Sequence, residues 1–419
     1  MAFNSDMANL PEIKRPQNRP LPLNQIGLCF GLFTLVGLTN GASGVLLPDI
    51  SRYYRVDNSI IGLLYVGENV GYALAAFYSG NLVAKFGLRW FIVAGLIIFA
   101  LSSFTVGMAL PLLSVLIGRT VMGSAMAIME GGPNFFFSSL PRHTTLLNYL
   151  HSFFGAGSLL GPLVATFVLA SGMGWNVVYL GWLLVSLPLL VGSTLWFTPQ
   201  ERVTPGESKA AETNIVHDNS NKGLMRATLS LRAVWLGAIF LMLYVGIEIG
   251  TGAWVYTYLT TRQGFEPIFC GWAVSGYWLG ITLGRLILAR LAEGLGVSGK
   301  GLIHYTLVLA AIGGAIIWWG NGEVVSALGL GLVGLGLGPV YPTILAVMPE
   351  VVAPRLVPSA IGFVTSLSIL GAAIFPSIAG FIFDGLGLGW FVPFFAGLGV
   401  VTASVWILFV RQHRQDRYS

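Results

Sequence analysis

Runs of apolar residues, each about long enough to cross a bilayer, follow one another along this sequence and leave little room for anything else. A transmembrane helix needs roughly 20 mostly apolar residues. In the first half such runs occupy about 25–48, 59–83, 90–109, 112–138, 147–171 and 176–198. In the second half they occupy about 231–260, 268–289, 302–320, 324–348, 357–383 and 390–411. Only 9% of the chain is charged, against about 25% in soluble domains, so there is too little charge to cover a water-facing surface. The sequence therefore predicts an all-α integral membrane protein with twelve transmembrane helices. Its 55 glycines agree, because small residues let helix backbones approach where lipid supplies no hydrophobic force between helices.

The polar breaks divide the chain further. Residues 1–24 read as a cytoplasmic N-terminal tail, 25–198 as a first six-helix bundle and 199–230 as a cytoplasmic linker. Residues 231–411 read as a second bundle and 412–419 as a cytoplasmic C-terminal tail. No cleavable signal sequence is visible before span 1, so the polar start is expected to remain. With both termini inside, the outer loops hold only Arg52, Arg55 and Arg262 and the spans hold Arg119 and Arg285. Every other Lys and Arg then falls on the inner side, as cytoplasmic loops of membrane proteins prefer. This charge pattern predicts the cell (inner) membrane with both ends cytoplasmic, and it accounts for the basic balance without nucleic acid.

The two halves also repeat. Gly71-Tyr72 and Lys85 of span 2 stand in the same spacing as Gly276-Tyr277 and Arg290 of span 8. Gly157 and Pro162 of span 5 answer to Gly371 and Pro376 of span 11, and Gly174-Trp175 to Gly389-Trp390. Two six-helix halves related by an axis along the membrane normal are a transporter architecture.

Two motifs that would suggest nucleotide chemistry fail on inspection. Gly294–Gly301 (GLGVSGKG) approaches a phosphate-binding loop, but Gly301 stands where Ser or Thr must hold magnesium and no strand precedes it. The glycines at 329, 331 and 334 lie inside a span, where they serve close helix packing. Cys29 and Cys270 fall near opposite membrane faces, too far apart for a disulfide. With no nucleophile–base or metal-ligand cluster, neither an enzyme nor a cofactor is expected.

Five ionisable residues sit inside spans: Glu68, Arg119, Glu130, Glu248 and Arg285. Charge in a bilayer is costly, so such groups face a cavity, a solute path or one another. Glu130 lies 11 residues after Arg119, a rotation within roughly 20° of the same helix face and about 16 Å along the axis. Asn134, one turn on, continues the stripe. Glu248 lies near mid-depth, followed by Trp254 and Tyr258, whose rings could cover the C–H face of a sugar or simply pack. His151 reads as an interhelical hydrogen-bonding group, and Trp318-Trp319 beside Asn321 as an interface anchor.

These residues also carry a likeness. The chain resembles the major facilitator superfamily over essentially its whole length. Within it, the chain looks most similar to the branch of fucose permease and the bacterial glucose/mannose–proton symporter. Span 4 (GRTVMGSAMAIMEGGPNFF) matches the superfamily's Arg-x-x-x-Gly at Arg119 and Gly123, and the branch's Glu-x-x-x-Asn at Glu130 and Asn134. LYVGIEIGTGAW resembles the branch's span 7, GYWLGITLGRLILARL its span 8, and TNGASGVLLP, with Asn40, its span 1. Gly44 replaces the acidic residue that fucose permease carries there, so a two-carboxylate proton mechanism does not transfer. In the loop after span 2, Asn81 and Lys85 stand without the acidic residue usual in that motif.

The resemblance implies the major facilitator fold and alternating access. The expected function is secondary uptake of a small polar solute, a monosaccharide or similar polyol, by proton symport in a monomer. Glu130 is expected to carry the coupling proton. Asn40, Glu68, Asn134, Glu248 and Trp254 are expected to bind substrate, and Lys85, Arg119 and Arg285 to act in gating. Export of amphipathic compounds by proton antiport is an alternative, hinted at by Gly157, Gly161 and Pro162. A transporter-like sensor without flux is another, against which the retained Glu68, Glu130, Asn134 and Glu248 speak.

Overall fold

The computed structural model of the chain describes residues 22–140, 143–197, 219–320 and 322–418. Among the described residues, twelve helices are long and apolar enough to cross a bilayer. The first half holds α1 (Leu23–Tyr54), α2 (Asn58–Phe86), α3 (Leu88–Gly107), α4 (Leu112–Ser138), α5 (Thr145–Ala170) and α6 (Trp175–Trp196). The second holds α7 (Arg232–Arg262), α8 (Pro267–Gly294), α9 (Gly299–Trp319), α10 (Glu323–Val351), α11 (Pro354–Leu386) and α12 (Leu388–Gln412). An even number of spans puts the start of α1 and the end of α12 on one face, here the terminal face. The opposite one is the distal face.

Several helices outrun the apolar stretches that announced them. α1 continues past Pro48 to Tyr54, and an Asp49–Arg52 ion pair of 2.7 Å, three residues apart, stabilises the added turn. Arg52, read above as a loop residue, is therefore helical. α8 runs to Gly294 rather than ending near 289, because long basic side chains such as Arg290 let a helix emerge from lipid without a break. Within the segment read as a polar linker, Asn219–Leu229 forms a helix whose last carbonyl accepts the indole N–H of Trp235 at 2.8 Å. The last helix runs on to Tyr418, through the residues read as a tail. Residues 1–21, the linker from 199 to 218, Arg142 and Asn321 lie outside the described residues.

Each half is assembled by close backbone approach. In the first half α1 packs on α5, α2 on α4, and α3 on α4 and α6. The same pairings recur six helices on, with α7 on α11, α8 on α10 and α9 on α10. Gly157 of α5 meets the backbone of α1 at Thr34 and Gly37, and its repeat partner Gly371 of α11 meets α7 at Met242 and Gly246. The spacing noted in the sequence is thus a pair of equivalent helix crossings.

The halves meet through α2 with α11, α5 with α8 and α1 with α7. Close approaches between them gather toward the distal face. Ser377 of α11 donates its hydroxyl to the Gly62 carbonyl of α2 at 2.8 Å. Gly44 of α1 lies against the carbonyls of Gly252 and Ala253 of α7, where any side chain would collide. The absence of the branch's acidic residue at position 44 thereby has a steric reason.

Candidate functional site

The polar site of the second half is set by the way α8 and α10 depart from regular helix. α8 widens into a π-helical turn over Gly284–Leu288, carrying Arg285, and such turns often mark functional sites. α10 breaks at Gly338-Pro339 before resuming at Val340. Because residue 342 is also proline, it offers no N–H to the Gly338 carbonyl four residues earlier. The Arg285 Nε fills that vacancy, donating to Gly338 O at 3.1 Å. Tyr244 of α7 donates to the neighbouring Leu337 carbonyl at 2.9 Å.

Arg285 then reaches Glu248 of α7, Nη2 to Oε1, at 2.9 Å. Tyr277 of α8 donates to the Glu248 backbone carbonyl at 2.8 Å. The carboxylate is sealed, its side chain 8% exposed, whereas the Arg285 side chain is 37% exposed. Arg285 was expected at the inner end of span 8. It lies instead beside the mid-depth Glu248, because α8 continues for another nine residues beyond it.

The first half has its own Glu–Arg pair, in a different place. Arg119 of α4 pairs with Glu68 of α2, and its Nη atoms donate to Ser43 of α1 at 3.0 Å and Tyr179 of α6 at 3.3 Å. Arg119 is only 2% exposed. The cluster lies ten residues into α2 and seven into α4 from the distal side. Glu68, roughly 15 Å into α2, is only 7% exposed and closed to a solute. The two residues join four helices of the first half into one unit. The stripe linking Arg119 to Glu130 is real as geometry, but its distal end is closed off.

Glu130 is different. It sits 18 residues into α4, partly exposed, and its Oε2 accepts a hydrogen bond of 2.8 Å from the Tyr72 hydroxyl of α2. Pro133 follows within the helix and removes one backbone N–H there. The Asn134 side chain donates to the Glu130 carbonyl at 3.0 Å. From the second half, Tyr341 of α10 lies within electrostatic reach of Glu130, Glu248 and Arg285. Tyr341 therefore stands between the two halves' polar groups.

The remaining expected residues divide. Asn40 of α1 is half-buried, its amide donating to Val36 of its own helix at 3.3 Å. His151 of α5 is within electrostatic reach of Arg285, and its ring meets Phe33 edge-on at 5.4 Å. Trp254 is fully buried: its indole donates to the Pro376 carbonyl of α11 at 2.8 Å and its ring meets Phe383 edge-on. Its face, expected to cover a sugar, is covered by the protein. Lys85 sits in the last turn of α2 on the terminal face, its ammonium 5.2 Å from the Phe86 ring centre. A cavity of about 550 Å³ bounded by Arg262, Trp318 and Trp390 lies at the distal rim, away from these groups.

Sequence reading passed over Tyr72, Tyr277, Tyr244 and Tyr341. Two of them were in view as halves of the Gly-Tyr repeat, and that repeat held the signal. Each tyrosine donates its hydroxyl to a glutamate on a neighbouring helix.

Two six-helix halves closed on one side around a polar centre define the architecture of a membrane transporter. Residues 29–320 match the Major Facilitator Superfamily, and the chain belongs to that family. It is 25% identical over 442 residues to Bypass of stop codon protein 6 of Saccharomyces cerevisiae (strain ATCC 204508 / S288c), covering 95% of this chain and 85% of that one. It is also 25% identical to the 3-(3-hydroxy-phenyl)propionate transporter of Escherichia coli (strain K12), covering 93% and 94% of the two chains. Among solved structures, the nucleoside transporter NupG superposes with a TM-score of 0.75 at 16% identity, over 94% of this chain and 99% of that one. The E. coli fucose:proton symporter FucP superposes at 0.60 and 17% identity, over 94% and 99%. These neighbours share the fold.

Proposed function

We propose that this transporter carries a small polar solute, a monosaccharide or similar polyol, together with a proton bound by Glu130. One observation carries the reading. Among Glu68, Glu130 and Glu248, the glutamates far from the helix ends, Glu68 and Glu248 each hold an arginine. The partner described for the Glu130 side chain is a tyrosine hydroxyl. Two internal ion pairs cancel and leave one carboxyl group facing the space between the halves, able to gain and lose a proton as that space changes sides. The surroundings suit a hydroxyl-rich solute: Asn40 and Asn134 offer amides, Tyr72 and Tyr341 hydroxyls, and the Arg285–Glu248 pair both signs of charge. Glu68 and Arg119 act in binding the helices of the first half to one another and Trp254 those of the second, and Lys85 acts at the terminal face. The distribution of Lys and Arg supports a cytoplasmic terminal face in the cell membrane. The fucose:proton symporter supports the sugar assignment by analogy.

The deciding experiment replaces Glu130 by Gln, which mimics a permanently protonated carboxyl at nearly constant volume. In proteoliposomes Glu130→Gln should lose uphill accumulation driven by a proton gradient while retaining solute binding and downhill exchange. Full uphill accumulation by this variant would overturn the assignment. A thermal-shift screen of the parent protein across monosaccharides and aromatic carboxylates identifies the solute. The acids belong in it because the guanidinium of Arg285 is the more exposed member of its pair and the E. coli relative's name specifies such a substrate.

A further inference from the structure

At the distal face, one helix end is capped by the other half of the molecule. The first turn of a helix leaves backbone N–H groups without partners, usually satisfied by an Asp, Asn, Ser or Thr at the preceding position. α2 has such a residue in Asp57. Its backbone is extended, at φ −76° and ψ 165°, and its carbonyl accepts the first helical bond, from Ile61 N at 3.1 Å. Yet its carboxylate makes no capping bond. The N–H groups of Asn58 and Ser59 donate instead to Asp384, at 2.9 Å to Oδ1 and 2.7 Å to Oδ2, and the Asn58 amide adds 2.8 Å to Oδ1.

Asp384 lies near the end of α11. One turn earlier Gly380 lies against the Asn58 carbonyl, where any side chain would collide. A turn before that, Ser377 bonds Gly62. Residues 377, 380 and 384 fall on one face of α11, so capping and backbone approach act on the same line of contact. Alternating access must break that line when the distal face opens. Asp384 then withdraws, and Asp57, already in the conformation of a cap, is the nearest carboxylate to α2's freed N–H groups.

We propose that Asp384 and Asp57 are alternative caps for one helix end, exchanged as the distal face closes and opens. The exchange keeps α2 capped in both states, so opening leaves no helix end bare. The balance between the two caps sets the resting population. Removing one cap should therefore favour the state that uses the other, by on the order of tenfold in the ratio of states.

The test uses the full chain in lipid nanodiscs, with Cys29→Ala and Cys270→Ala and spin labels on Met173→Cys and Thr261→Cys. These exposed distal positions lie one in each half, and electron–electron distance measurements on them report closed and open populations. Asp384→Ala should lower the closed-to-open ratio about tenfold and Asp57→Ala should raise it by a similar factor. The double variant, having lost one cap from each state, should return near the parent ratio. If Asp384→Ala fails to fold, Asp384→Asn, which keeps the volume and one acceptor oxygen, should shift the ratio the same way by less. An unchanged ratio in the Asp384 variants, or a shift in the same direction on removing Asp57, overturns the proposal. So does a double variant that merely matches Asp384→Ala.

Discussion

At the scale of single residues, the spans hold two Glu–Arg pairs with different environments. Glu68–Arg119 is buried among four helices, whereas the Arg285 side chain is 37% exposed. Breaking a buried pair leaves a lone charge and costs about 3–5 kcal/mol, whereas replacing both partners by apolar groups is often neutral. Glu68→Leu and Arg119→Leu alone should each lower the melting temperature in detergent sharply, and the double variant should recover most of the loss. Recovery would identify a structural pair; persistent loss of transport in a fully stable double variant would assign it a further role. At the proposed solute site, Asn134→Ala and Tyr341→Phe each remove a hydrogen-bonding group and should weaken binding by about 0.5–1.5 kcal/mol, measured calorimetrically with the solute found by screening. Glu130 and Asn134 were legible in the sequence because both lie on one helix at a readable spacing. Their partners were not, since Tyr72 and Tyr341 reach the site from helices whose rotation no single span reveals.

At the scale of elements, the apolar runs located the spans because roughly twenty residues must each be satisfied within one helix. They misplaced the ends. α8 outlasts its apolar run by five residues, and for that reason Arg285 was read too near the terminal face. The irregular parts were invisible to hydropathy, since the π turn at 284–288 and the break at Gly338-Pro339 occur inside uniformly apolar sequence. Pro342 shows how such a break becomes functional: its missing N–H leaves the Gly338 carbonyl for Arg285. Pro342→Ala restores a helical donor to that carbonyl. Melting temperature should rise while uptake slows, because Arg285 loses one of its two anchors. Faster uptake with unchanged stability would show that the break does not position Arg285.

At the scale of the whole molecule, the halves behave as units because each is bound internally by backbone-close crossings and its own ion pair. The contact between them is thinner and lies toward one face. Gly44 is a point of backbone-to-backbone approach in it, with no space for a Cβ against Gly252. Gly44→Ala should act as a wedge, shifting the Met173–Thr261 spin-label distance toward the open population. Gly44→Asp, although it restores the acidic residue of the sugar-symporter branch, should do the same and should not rescue proton coupling in Glu130→Gln. The repeat in the sequence announced two equivalent halves, but not this asymmetry of closure, which depends on a state rather than on a fold.

The lone tyrosine hydroxyl beside Glu130 also has an electrical consequence. In the proposed cycle a loaded carrier crosses with Glu130 protonated and its arginine pairs cancelled, so a neutral solute moves without displacing net charge through the protein. The empty carrier returns with that carboxylate ionised, and one negative charge then lies in the membrane field. A potential of 100 mV acts on a full unit charge with about 2.3 kcal/mol, of which the return step feels the fraction of the field that Glu130 traverses. Negative inside, this field speeds the empty return. Voltage imposed on proteoliposomes should thus accelerate net uptake at saturating solute and leave exchange between loaded carriers unmoved.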